Sequence, residues 1–173
     1  MLYFNKNNFE EEAIMKYAVV YSSVTNNTKR LAETIKETVR AEFCGKFSDE
    51  ALEAEVLFIG FWATKHSCGA DVQGFMKKLS NKKIFLFGTA GYNDTQEYFE
   101  EILSNAKEHI PSSNEIIGTY MCQGKVTEAM KHRIKEVMPE KYEVMKDKLA
   151  SSENHPNQAD LDALVVAVEK VIK

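Results

Sequence analysis

The residues best placed to do chemistry form a cluster of hydroxyl and amide side chains at 23–28 (SVTNNT). The apolar run before the cluster, 18–21, suits a buried parallel strand. After it, Leu31, Ile35 and Val39 recur at four-residue spacing and predict an amphipathic helix. The first N–H groups of a helix lack intrahelical partners and carry partial positive charge, so they bind anions. The pattern therefore predicts a strand, a phosphate-binding turn and a helix.

Two common nucleotide-binding loops are absent from the sequence. Neither G-x-x-x-x-G-K-[ST] nor G-x-G-x-x-G occurs, which argues against an NTPase and against a dinucleotide-binding Rossmann enzyme. Ser, Thr and Asn are also favoured helix caps, so the turn read alone fits a well-capped helix start equally well. The rest of the chain has to distinguish these interpretations.

The turn resembles the phosphate-binding segment of flavodoxins, [ST]-x-T-G-x-T. Ser23, Thr25 and Thr28 match the hydroxyl positions, and Asn26 stands where the family has glycine. Asparagine tolerates the left-handed backbone region better than most residues, so we expect the turn to survive this substitution.

Two more loops follow predicted strands and carry aromatic residues. The first, 60–69 (GFWATKHSCG), contains Trp62, and the second, 88–95 (GTAGYNDT), contains Tyr92. An exposed Trp62 ring can stack on a flat ligand, although it can also plug the edge of a core. Small residues in the second loop let backbone amides approach a flat ligand, whereas 93–95 can simply cap the next helix.

Three segments in this order, GFW at 60–62, FGTAG at 87–91 and CQGK at 122–125, resemble a branch of flavodoxin-domain proteins found mainly in anaerobic bacteria. The resemblance covers about residues 16–125 and implies noncovalent FMN and electron transfer. The cofactor-binding residues that it implies are Ser23, Val24, Thr25, Asn26, Asn27, Thr28, Phe61, Trp62, Ala63, Thr64, Thr89, Ala90, Gly91, Tyr92, Cys122 and Gln123.

Individual reactive side chains give weaker indications. A nucleophilic Cys122 needs a lowered pKa, so packing or lining the flavin is the favoured role. Gln123 and Lys125 can reach the ligand, or Lys125 can lie in solvent. His66 is a candidate proton donor to reduced flavin, although a surface role is commoner for histidine. The four histidines show no metal-ligand spacing. We therefore expect no side-chain catalyst and no metal.

Apolar runs alternate with helical spacing along the chain, which predicts an α/β fold with a parallel sheet covered on both faces. The resemblance implies the flavodoxin-like doubly wound sheet of five strands in the order 2-1-3-4-5, with ligands beyond the carboxyl ends of the strands. Only 43–47 can supply strand 2, so we expect a short or degraded edge strand. A charged helical insert interrupted by Pro139 spans 127–152, before the last helix, where it can cover the site or contact a partner.

The domain prediction is one flavodoxin-like domain over 15–173, preceded by an N-terminal extension or start-codon artefact at 1–14. The formal net charge of −4 argues against nucleic acid as a partner. No apolar run approaches the roughly 20 residues of a membrane span, and the N-terminus lacks the pattern of a secretion signal. The three cysteines form no C-x-x-C. These features favour a cytoplasmic protein with reduced thiols.

Three functions remain open. The first is an FMN-binding electron carrier between a reductase and an acceptor enzyme, as a monomer or dimer. The second is an FMN-dependent NAD(P)H oxidoreductase or quinone reductase on the same fold. The third is a partner-binding module of a reductase system, in which Asn26 has weakened flavin binding.

Overall fold

The computed structural model describes residues 16–172 and contains one parallel sheet of five strands in the order β2-β1-β3-β4-β5. This order confirms the predicted flavodoxin-like topology. The proposed extension at 1–14 lies outside the described residues. The strands are β1 Tyr17–Tyr21, β2 Phe43–Gly45, β3 Val56–Trp62, β4 Lys83–Ala90 and β5 Glu115–Gln123. The helices are α1 Asn27–Val39, α2 Ala70–Met76, α3 Gln96–Lys107, α4 Glu128–Val137, α5 Pro139–Ser151 and α6 Gln158–Glu169.

The two faces of the sheet bury separate apolar clusters. Successive side chains of a strand point to opposite faces, so Phe58 packs in the layer with α1 and α6 while Ile59 packs in the layer with α2 and α3. On the first face the rings of Phe58 and Phe85 lie 5.5 Å apart, beneath Leu31 and Ile35 of α1. Both faces are covered, which explains why the central strands read as continuous apolar runs.

Strand β2 is the short edge strand that the sequence predicted. It has three residues, pairs only with β1, and none of its residues is fully buried. A three-residue strand with one neighbour makes few hydrogen bonds and buries little apolar surface. Its sequence therefore lacks the long apolar run that marks the central strands.

Strands β4 and β5 extend further than the apolar runs at 84–87 and 116–121 predict. β4 continues through Gly88 to Ala90, and β5 continues through Cys122 to Gln123, because the two strands remain paired there. Trp62 is the last residue of β3 and is in register with Thr89, which in turn is in register with Cys122. The ends of three strands therefore form one row at the carboxyl edge of the sheet.

The insert between β5 and α6 is a helical hairpin, as predicted, and Pro139 begins its second helix. Proline suits the first turn of a helix, where no intrahelical acceptor is available for an N–H group. Val126, Ile134 and Leu149 form a third small cluster that holds α4 against α5. Among residues 16–172, no helix is both long and apolar enough to cross a membrane.

Candidate functional site

The turn between β1 and α1 has the backbone geometry of an anion site. Asn26 precedes α1 with φ 64° and ψ 1°, so it occupies the left-handed region that glycine favours. Its side chain makes no capping bond. Within the described chain, the N–H groups of Asn27 and Thr28 have no hydrogen-bond acceptor, whereas that of Lys29 donates to Ser23 Oγ at 3.3 Å. Two free N–H groups thus remain at the start of α1.

The side chains of this turn are divided between solvent and the interior. Val24, Thr25 and Asn26 are exposed, and Thr25 Oγ1 accepts a hydrogen bond of 3.0 Å from Asn27 Nδ2. Thr28 is fully buried, and its hydroxyl lies 3.3 Å from the carbonyl oxygen of Phe61 and 3.1 Å from Thr89 Oγ1. Thr28 therefore attaches α1 to the ends of β3 and β4.

A groove opens beside this turn, at the carboxyl edge of the sheet. It encloses a volume of about 180 Å³. Two aromatic side chains at its rim, Trp62 and Tyr92, are 41% and 39% exposed, and Tyr98 of α3 lines it as well. Of the predicted site residues, the groove brings together Val24, Thr25, Asn27, Trp62, Ala63, Thr89, Gly91 and Tyr92.

The other predicted site residues lie outside the groove. Ser23 and Asn26 line a separate depression, together with Lys29, Lys46 and Asp71. Phe61 and Ala90 are buried in the layer with α2 and α3. A role for these residues in binding a cofactor stays a prediction.

The loop after β3 is held by α3. Thr64 and Ser67 pair across a tight turn in which Lys65 and His66 both have positive φ, as a type I′ turn requires. His66 Nδ1 lies 3.1 Å from Glu101 Oε1, and its ring meets the Tyr98 ring edge-on at 5.7 Å. Neither Thr64 nor His66 lines the groove. His66 instead packs against Tyr98, which does line it.

The end of β5 is more buried than a rim loop. Burial raises the pKa of the Cys122 thiol well above its ordinary value, so this cysteine stays protonated at neutral pH. Gln123 is also buried, and its Nε2 donates to the carbonyl oxygens of Lys148 at 3.0 Å and Gly91 at 3.4 Å. Gln123 thus joins the hairpin to the loop after β4.

The sequence predicted that the CQGK segment faces this rim and that the insert can cover the site, but it did not identify which residues of α3 and of the insert line the groove. Those lining residues are Tyr98, Gly124, Val126, Thr127 and Met130. Lys125, considered from the sequence, also lines the groove. Thr127 caps α4, since its hydroxyl accepts a hydrogen bond of 3.2 Å from Met130 N, and a threonine at this position is a local sequence pattern typical of a helix start.

Ionic contacts hold the insert in place. Glu153 accepts hydrogen bonds of 2.7 Å from Lys125 Nζ and from Lys131 Nζ. The hydrogen bond from Lys125, followed by that from Lys131, lowers the pKa of Glu153 from its ordinary 4.5 to about 2. On the loop after β4, Asp94 pairs with Lys148 of α5, and this hydrogen bond lowers the pKa of Asp94.

The Glu153 contacts predict a pH effect. A carboxylate whose pKa is lower in the folded protein stabilises the fold above its unfolded pKa, and the contribution is lost as the pH falls from about 4.5 towards 2. Across that range we expect the melting temperature of the wild type to fall more steeply than that of Glu153→Gln, most clearly at low salt because the pair is exposed. Thermal unfolding at a series of pH values measures both slopes; equal slopes would show that the contacts add nothing.

No group of three or more His, Cys, Asp and Glu side chains within 16–172 is arranged to hold a metal ion. The geometry instead combines an anion site at the start of α1 with an adjoining groove that has aromatic residues at its rim. That combination suits a ligand with a phosphate at one end and a flat ring at the other.

Comparison with known proteins agrees with this geometry. The family model described as Flavodoxin domain matches residues 18–169. The flavodoxin-like domain-containing protein BilS of Clostridioides difficile is 31% identical over 172 residues, covering 92% of this chain and 98% of that protein. BilS of Clostridium symbiosum is 30% identical over 174 residues, covering 86% and 92% respectively. The two-electron reduced flavodoxin of Megasphaera elsdenii aligns with a TM-score of 0.51 at 19% identity, over 89% of this chain and 98% of that one, which establishes the shared fold. The chain therefore belongs to the flavodoxin domain family.

Proposed function

We propose that this protein binds FMN and carries electrons between a reductase and an acceptor enzyme. The observation that carries the proposal is the pair of free N–H groups at the start of α1, beside a groove with Trp62 and Tyr92 at its rim. Membership of the flavodoxin domain family supports FMN as the cofactor.

The phosphate end of FMN fits the turn before α1. The N–H groups of Asn27 and Thr28 are hydrogen-bond donors to an anion, and the macrodipole of the thirteen-residue helix α1 favours negative charge there. Asn26 has a left-handed backbone and its side chain does not cap these groups, so they stay available to a ligand. Lys29 adds a positive charge nearby, with its Nζ 3.8 Å from Glu33.

The ring end of FMN fits the groove. Trp62 and Tyr92 present partly exposed aromatic surfaces on which a flat ring can stack. The enclosed volume of about 180 Å³ is smaller than the roughly 300 Å³ at which ligand pockets usually begin. A ligand of the size of FMN therefore keeps one edge in solvent, where a partner protein can approach it.

The side chains around the groove suit a protein in which the cofactor, rather than a side chain, carries out the chemistry. Bound FMN supplies the electron chemistry, and the residues of the chain bind it, orient it and limit its contact with water. Burial raises the pKa values of Cys68 and Cys122, and His66 is turned towards Glu101. These groups offer neither a thiolate nor an imidazole to a substrate in the groove.

Reconstitution with FMN tests the proposal. We expect added FMN to give bound-flavin absorbance and to bind about tenfold or more tightly than riboflavin, since hydrogen bonds to a charged group contribute about 1.5–3 kcal/mol each. Titrating both flavins into apoprotein measures this difference. Equal affinities would contradict the phosphate site, and failure to bind FMN would leave the partner-binding module as the function.

Electron transfer is tested separately with the loaded protein. We expect stepwise photoreduction to be reversible, and added NADH or NADPH to remain unoxidised unless a reductase is present. Steady oxidation of either nucleotide by the protein alone would instead support the NAD(P)H oxidoreductase alternative. Sedimentation of the same sample distinguishes monomer from dimer.

The three cysteines, all free thiols, support a cytoplasmic location.

A further inference from the structure

Residues 124–130 comprise the connection from β5 and the first residues of α4, and they form one wall of the groove. Gly124 and Lys125 end the CQGK segment, whereas 126–130 lie beyond every segment expected to hold the cofactor. Gly124, Val126 and Met130 line the groove, and Lys125 and Thr127 complete the same wall. Val126 is buried, whereas Met130 is 40% exposed. The segment therefore presents apolar surface to whatever occupies the groove.

This segment is fastened to the phosphate-binding turn. Asn27 Nδ2 donates to the carbonyl oxygen of Lys125 at 2.9 Å and to Thr25 Oγ1 at 3.0 Å, so both of its hydrogens are used. Gly124 makes the close approach feasible, because a Cβ there would lie 2.8 Å from Asn27 Nδ2 and 3.1 Å from Thr89 Cβ. The spacing between turn and segment thus depends on a residue without a side chain.

The same segment is fastened to the loop after β4. A Cβ on Gly91 would lie 2.3 Å from Val126 Cγ2, so Val126 packs directly against the backbone of this loop. Val126 N donates to Ser152 Oγ at 3.2 Å, and Lys148 of α5 pairs with Asp94 of the loop. The base of the hairpin consequently bridges the phosphate end and the ring end of the groove.

The hairpin itself is weakly packed. Among the described residues, Ile134 is the one buried side chain of α4 and Leu149 the one buried side chain of α5. Elements with few buried contacts open locally at a low free-energy cost. A ligand that contacts the base of this hairpin should therefore raise the free energy of opening the hairpin by a large fraction.

We propose that the segment 124–130 is part of the FMN site, with Val126 and Met130 contacting the flavin ring and Asn27 acting as a positioning residue. FMN binding and the stability of the α4–α5 hairpin are then coupled, each raising the other. This inference rests on the proposed function.

Hydrogen exchange on the full-length protein tests the coupling. Saturating FMN should slow amide exchange in α4 and α5 by about threefold or more relative to the apoprotein, since exchange follows local opening. Riboflavin at saturation should give the same protection, because the proposed contacts are to the ring. Inorganic phosphate alone should give none.

Two matched pairs of variants test the contacts. Met130→Ala should weaken FMN and riboflavin binding by the same factor, about three- to tenfold, because the free energy gained by burying an apolar side chain is proportional to the buried area. Val137→Ala on the same helix, at a site 67% exposed and outside the groove, should leave both affinities unchanged.

Gly124→Ala should weaken FMN binding about tenfold or more, since its methyl group displaces Asn27. Gly74→Ala, where a Cβ has no atom within 4 Å, should not.

The outcomes separate this inference from the proposed function. Tight FMN binding with unchanged exchange in the hairpin, and with Met130→Ala indistinguishable from Val137→Ala, would overturn the inference and leave the electron carrier intact. A wild-type protein that binds no flavin would overturn both. Should Gly124→Ala fail to fold, the exchange measurement and Met130→Ala still decide the question.

Discussion

Asn26→Val should destabilise the apoprotein by about 1–2 kcal/mol and abolish most of the preference for FMN over riboflavin. Asn26 has φ 64°, a region in which a β-branched side chain clashes with the adjacent peptide. Relieving that clash requires the turn to change shape, which moves the N–H groups of Asn27 and Thr28 away from the phosphate that we propose they bind. Denaturant unfolding and titration with both flavins measure the two effects.

A second left-handed asparagine provides the matched control. Asn81 has φ 56° and lies in the turn before β4, at the opposite edge of the sheet. Asn81→Val should lose a similar amount of stability and keep the full preference for FMN. Asn26→Gly should keep both properties, because glycine adopts positive φ without strain. If Asn26→Val still binds FMN as the wild type does, the phosphate does not bind at this turn.

The fold could be predicted from local patterns because its central strands carry them. β3 and β4 are covered on both faces, so their sequences are continuous apolar runs bounded by polar residues. The end of β5 has no such pattern. Gln123 is buried because the carbonyl oxygens of Lys148 and Gly91 accept hydrogen bonds from its amide, and neither residue is close to it in sequence.

The site divides in the same way. The turn at 23–28 and the loop aromatics Trp62 and Tyr92 lie next to apolar strands, so the sequence alone predicted that they lie together at the carboxyl edge of the sheet. The wall at 124–130 depends on how the insert folds back, through contacts such as Asn27 to Lys125, which are 98 positions apart. Such contacts leave no periodic pattern in a single sequence.

Trp62→Ala should weaken the binding of FMN and of riboflavin by the same factor, about 10- to 100-fold, because stacking a flat base on an aromatic side chain contributes about 1–3 kcal/mol. The fold should tolerate this change. Trp62 is 41% exposed, and its backbone is fixed by pairing with Thr89 at the end of β3. Flavin fluorescence titrations, with unfolding of the apoprotein as a check on stability, measure both quantities.

The pattern of the two affinities distinguishes a ring contact from a phosphate contact. Removing a ring contact lowers both affinities together, whereas distorting the turn at Asn26 lowers that of FMN and spares that of riboflavin. Ile116→Ala serves as the control for Trp62→Ala, since Ile116 is similarly exposed at 37% but is the second residue of β5, at the amino end of the sheet. Trp62→Phe should retain part of the affinity by keeping an aromatic face. A Trp62→Ala protein that binds both flavins as tightly as Ile116→Ala would place the ring away from this rim, and Tyr92 and Tyr98 would then be the remaining aromatic residues able to stack on it.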